Sequence, residues 1–136
     1  MDTPNTLLRI LHYPPFNGTE ERGAIRAAAH EDINLLTILP AANEPGLQVQ
    51  AQDGQWLDVP ADFGHLIVNI GDMLQEASQG YFPSTSHRVI NPTGENSGKS
   101  RISLPLFLHP RSEVILSKNH TQASYLLERL RELGVK

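Results

Sequence analysis

Apolar residues in this 136-residue chain come in short runs, and each run is closed by a turn signal before a helical period can develop. The runs read as eight strands. Leu7–Tyr13 stops at Pro14-Pro15, Ala24–His30 precedes an acidic pair, and Leu35–Leu39 stops at Pro40. Gly46–Ala51 and Gln55–Val59 flank the turn pair Asp53-Gly54, Gly64–Ile70 stops at Gly71-Asp72, and Ser86–Ile90 stops at Asn91-Pro92. Arg101–His109 follows the polar loop of residues 93–100. Helical spacing is predicted only at Asp72–Gly80 and at Thr121–Leu133. The second has Thr121 as N-cap, a stripe of Leu126, Leu130 and Leu133, and Gly134 as terminator. Eight short strands in so small a chain predict an all-β sandwich or barrel, of which the jelly roll is the eight-stranded form, with a C-terminal α-helix.

Length sets the scale at one domain, residues 1–136, against about 150 residues per domain. Composition narrows the class. Hydrophobic residues make up 39% and charged residues 19%, and 11 basic against 15 acidic side chains leave a net charge of −4. Nucleic acid as a partner is therefore not expected. The absence of cysteine removes disulfides, thiolate metal sites and cysteine nucleophiles. No apolar run approaches the roughly 20 residues of a membrane span. Met1–Asn5 lacks a basic region leading into an apolar one, so the expected location is the cytoplasm.

Chemistry enters at His30-Glu31-Asp32, where an extended chain points residues i and i+2 to one face. His87 opens a later strand, 87 − 32 = 55 residues on, where a barrel can bring it across. Two imidazoles and one carboxylate leave half an octahedron free, the arrangement of non-haem Fe(II) oxygenases. By itself His-x-Asp is more often a turn or a surface pair. Along the last strand Arg101, Ser103, Pro105 and Phe107 share one face, while Ile102, Leu104, Leu106 and Leu108 share the other, which is expected to be core. An inward arginine is costly unless a carboxylate reaches it from outside the protein. A dicarboxylate would suit its fork, with Ser103 adding a donor. A structural ion pair, or an Arg101 turned to solvent, are the plainer alternatives.

His30-x-Asp32, Asn69-Ile-Gly-Asp72-Met-Leu-Gln75, Ser86-His87-Arg88-Val89 with Asn91-Pro92, and Arg101-x-Ser103 together resemble the Fe(II)/2-oxoglutarate-dependent dioxygenases. The likeness is to the isopenicillin N synthase branch and covers about residues 7–110. It implies a double-stranded β-helix with His30, Asp32 and His87 as catalytic iron ligands, and Arg101 and Ser103 on the distal carboxylate of 2-oxoglutarate. It also implies Tyr13 as a co-substrate contact and Phe107 against the substrate. The implied cofactors are Fe(II), 2-oxoglutarate and O2, with ascorbate as an optional addition. The implied reaction oxidises a small organic molecule, commonly by hydroxylation, and releases succinate and CO2. Rival readings are an oxidase that uses the iron site without 2-oxoglutarate, and a non-catalytic cupin-like module. A halogenase is disfavoured because Asp32 is present.

Two departures from the family pattern stand out. Leu11 occupies a position where many relatives carry asparagine, and the chain begins almost at the first strand, where relatives have a long N-terminal region. A longer parent protein, or a second copy forming a homo-oligomer, would then cover the barrel face. The other polar groups read as structural. His12, His65, His109 and His120 are expected at the surface, Arg88 in an ion pair, and Asn69 and Asp72 on backbone amides around Gly71. Gln75 is expected at the pocket edge and Glu20-Glu21-Arg22 in a solvated loop.

Overall fold

A computed structural model describes residues 6–17, 19–21 and 23–135 of the chain. The expectations for Met1–Asn5 and for Arg22 lie outside them. Among the described residues ten strands form in place of eight: β1 (Leu7–Leu8), β2 (Leu11–Tyr13), β3 (Ala27–His30), β4 (Leu36–Pro40), β5 (Leu47–Gln50), β6 (Trp56–Asp58), β7 (Leu66–Ile70), β8 (His87–Val89), β9 (Arg101–Ser103) and β10 (Leu106–Leu108). Helix α1 (Asp72–Ala77) separates β7 from β8, and α2 (Gln122–Glu132) follows the last strand.

All pairings are antiparallel. One four-stranded sheet runs β1-β10-β4-β7, a second runs β3-β8-β5-β6, and β2 pairs with β9 as a separate ribbon. The fold is the all-β jelly roll with a C-terminal helix. Leu39, Leu47 and Val89 form its core with Ala27, Val59 and Ile67 packed against them, so both four-stranded sheets contribute.

The two extra strands come from one event. Pro105 has no N–H to donate, so the last predicted strand breaks there, and the first breaks opposite it, where Arg9 N–H reaches the Pro105 carbonyl at 3.0 Å. β1 therefore stays with β10 and β2 with β9. The predicted second strand starts three residues late because Asn91 occupies the backbone of Ala24 and Arg26 with its side-chain amide.

The alternation of the last strand holds, but its expected sidedness does not. Ile102 is 45% and Leu104 38% exposed, whereas Arg101 is 2% and Ser103 6% exposed. The polar face is the inner one here, because it borders a cavity.

Helix α2 begins as predicted: Thr121 and Ser124 form a capping box, and Gly134 follows the helix at φ +73. Its inward stripe is Gln122, Tyr125, Leu126, Arg129 and Leu130, while Leu133 lies past the last turn and is exposed. Among the described residues no helix is long and apolar enough to cross a membrane.

Candidate metal centre and its cavity

His30 ends β3 and His87 begins β8, and the two are direct partners across the ladder. Opposed residues share a face, which brings the ring centroids to 4.3 Å. Each ring is turned by its own backbone: His30 Nδ1 lies 2.7 Å from the Ala28 carbonyl, and His87 Nδ1 lies 3.0 Å from that of Thr85. A carbonyl can only accept, so the proton sits on Nδ1 and leaves the Nε2 lone pair free on both rings. Asp32 lies just beyond β3. Its Oδ1 is 3.9 Å from His30 Nε2 and 3.8 Å from His87 Nε2. The three ligand atoms all lie within 4.8 Å of one another, and one ion can touch them all.

The other carboxylate oxygen of Asp32 accepts hydrogen bonds from Thr37 Oγ1 at 2.5 Å and from Asn69 Nδ2 at 2.9 Å. The loop that carries Asp32 is pinned by the start of α1, whose Asp72 and Met73 N–H groups donate to the carbonyls of Asp32 and Asn34. Gly71 makes that approach possible: a Cβ there would sit 2.2 Å from the Asn34 carbonyl oxygen. Asp32 and His87 are mostly shielded, while the side chain of His30 is 47% exposed, so the centre opens on the His30 side.

Deeper in the barrel, Arg101 lies opposite Tyr13 on the β2–β9 ladder, its guanidinium carbon 5.7 Å from the ring centroid. Nε donates to the Glu44 carbonyl at 3.1 Å, but Nη1 is buried without a hydrogen-bond partner. Burial pushes the Arg101 guanidinium below its ordinary pKa range, an effect that Tyr13 opposes and Arg26 reinforces. Among the described residues no carboxylate lies at ion-pair distance from it. Neither of the plainer alternatives, an internal salt bridge or an outward turn, describes this arginine.

One cavity joins the two ends. Tyr13, His30, Asp32, His87, Arg101, Ser103 and Phe107 all line it, with Leu11, Leu39, Leu47, Val49 and Ile67 as an aliphatic wall. All seven residues singled out from the sequence are therefore brought together. A donor set of two imidazoles and a carboxylate suits a ferrous ion, and an unsatisfied guanidinium at the far end suits a dicarboxylate.

Several secondary expectations are corrected. Asn69 bonds Asp32, not a backbone amide. Asp72 is buried and meets Arg129 Nη2 at 3.2 Å. Gln75 does not border the cavity; its Oε1 accepts from Ser84 N–H and so holds the loop leading to His87. Arg88 forms no ion pair among the described residues; it stacks 4.1 Å from the Trp56 ring centroid and donates to Gln48. Thr37 is absent from the sequence-based expectations. Its signal is a lone polar residue within an aliphatic strand, facing another, Asn69, in the next strand.

An all-β barrel with a facial two-histidine, one-carboxylate cluster defines a class of non-haem metal oxygenase folds. Residues 4–110 match the 2OG-Fe(II) oxygenase superfamily, and the chain belongs to that family. It is 34% identical over 111 residues to gibberellin 2-beta-dioxygenase 1 of Arabidopsis thaliana, a match covering 78% of this chain and 32% of that protein. To the 2-oxoglutarate-Fe(II) type oxidoreductase hxnY of Emericella nidulans it is 39% identical, covering 74% and 28%. Among solved structures, a Shewanella oneidensis protein is 76% identical with a TM-score of 0.86, covering 97% of this chain and 49% of that one. A full-length Neurospora crassa protein solved in complex with alpha-KG is 27% identical with a TM-score of 0.81, covering 94% and 45%. The chain thus spans about a third of these curated relatives and about half of these solved ones.

Proposed function

We propose that the protein is an Fe(II)- and 2-oxoglutarate-dependent dioxygenase acting on a small organic substrate, with hydroxylation as the outcome. The observation that carries this reading is the buried Arg101 guanidinium without a carboxylate partner, in the same cavity as the His30, Asp32 and His87 cluster. A buried charge left unpaired is costly, so its natural complement is a ligand that brings a carboxylate.

In this reading His30, Asp32 and His87 hold the iron from one side, with both imidazoles presenting Nε2 because Nδ1 is committed to a carbonyl. Ferrous iron held by these residues, with 2-oxoglutarate as co-substrate, would supply the oxidising chemistry, with succinate and CO2 as co-products. Arg101 and Ser103 take the distal carboxylate: the fork offers Nη1 and the hydroxyl offers a further donor two residues along the same inward face. The Tyr13 ring lies beneath the guanidinium, and the Nε bond to the Glu44 carbonyl anchors its other edge. The aliphatic wall excludes water and orients the dicarboxylate along the barrel. Phe107, on the cavity lining, offers an apolar face to substrate.

The test is succinate formation from 2-oxoglutarate by the protein with Fe(II) in air. Turnover that is lost in Asp32→Ala and in Arg101→Ala supports the reading. No succinate above the Asp32→Ala background, or undiminished turnover in Arg101→Ala, overturns it, the latter in favour of an iron site that does not use 2-oxoglutarate.

A further inference from the structure

Thr37 and Asn69 are direct partners across the β4–β7 ladder, each the polar member of an otherwise apolar strand. Both point at one atom. Thr37 Oγ1 and Asn69 Nδ2 donate to Asp32 Oδ2, at 2.5 Å and 2.9 Å. Asn34 Nδ2 donates in turn to Thr37 Oγ1 at 2.9 Å, so the one hydroxyl proton of Thr37 is committed to the carboxylate. The opposite oxygen, Oδ1, is the one facing both imidazoles.

A carboxylate can bind a metal through one oxygen or both, and the second mode consumes another coordination position. Here that mode would require Oδ2 to leave two charge-assisted donors, one buried and one part-buried. We propose that Thr37 and Asn69 are positioning residues that hold Asp32 as a one-oxygen ligand and thereby keep a coordination position open for co-substrate. The proposal rests on the metal reading above. Outer partners of metal ligands commonly govern both affinity and ligand orientation.

The experiment measures Mn(II) affinity, from the electron paramagnetic resonance signal of the free ion, and the visible spectrum of the Co(II)-loaded protein. The variants are Thr37→Val, Asn69→Leu, Thr37→Ser and His87→Ala. Thr37→Val and Asn69→Leu should each weaken Mn(II) binding about 10- to 100-fold and alter the Co(II) bands. Thr37→Ser, which restores only the hydroxyl, should return both towards the parent. Parent-like affinity and spectra in Thr37→Val and Asn69→Leu, or a Thr37→Ser protein no better than Thr37→Val, overturn the proposal. If Thr37→Val does not fold, Asn69→Leu carries the test. Parent-like Mn(II) binding in His87→Ala is a different result: it removes the metal reading itself, and this proposal with it.

Discussion

Tyr13 faces Arg101 directly across the β2–β9 ladder, and the guanidinium it covers is 2% exposed with one nitrogen unsatisfied. A buried guanidinium left so is costly to the ligand-free fold, and in the proposed function its role is to meet a ligand's carboxylate. Arg101→Met should therefore leave the ligand-free fold as stable as the parent or more so, by up to about 1–4 kcal/mol, because an apolar side chain of similar length replaces a buried charge. The same variant should lose most of its 2-oxoglutarate affinity. Urea unfolding and ligand titration on the one variant read the two effects separately.

Gly71 is fixed by proximity, not by its backbone angles. Gly71→Ala would place a methyl 2.2 Å from the Asn34 carbonyl, so the 32–34 loop must move. A cost of about 1–3 kcal/mol or more is expected, in line with overpacking of a tight site. Because the displaced loop carries Asp32, metal affinity should fall with stability, a joint loss that unfolding and metal titration can check.

Arg129 reaches from α2 to the buried Asp72, with their polar atoms 3.2 Å apart. The arginine side chain is 39% exposed, which tempers the pair's worth. The contact is an ion pair, both Asp72 oxygens being buried without a hydrogen-bond partner, so Arg129→Met, which leaves that carboxylate without its counter-charge, should cost about 1–3 kcal/mol. The denaturant midpoint should drop with the slope unchanged.

Tyr125, on the same inward stripe, has its hydroxyl pKa raised by burial first and by Asp72 second. The sign follows from the neutral form being the one the fold favours. Its contribution is present below the ordinary tyrosine value near 10 and declines as pH rises through the higher folded value. Stability measured from pH 8 upward should fall at the alkaline end, and Tyr125→Phe should lessen that fall.

Local signals in the sequence reach His30-x-Asp32, His87 and the alternation of Arg101 with Ser103, while the resemblance to the 2-oxoglutarate-dependent dioxygenases, and not spacing, implies Tyr13 and Phe107 and joins all seven at one cavity. What is not legible depends on partners far along the chain. Nothing near Asp72 announces Arg129, 129 − 72 = 57 residues on, and nothing in Asn69 announces the carboxylate of Asp32. The sidedness of Ile102 and Leu104 escapes the sequence because an alternating pattern does not say which face meets a cavity. Pro105 does carry a local signal for the strand break, and its effect on Arg9 opposite follows only from the pairing.

The most direct measurement of the central claim is anaerobic addition of Fe(II) and then 2-oxoglutarate, followed by visible absorption. A charge-transfer band from the iron chelate should grow to saturation in the parent protein, vanish in Asp32→Ala, and need far more 2-oxoglutarate in Arg101→Met. A parent protein that develops no band at saturating iron and 2-oxoglutarate would contradict the account.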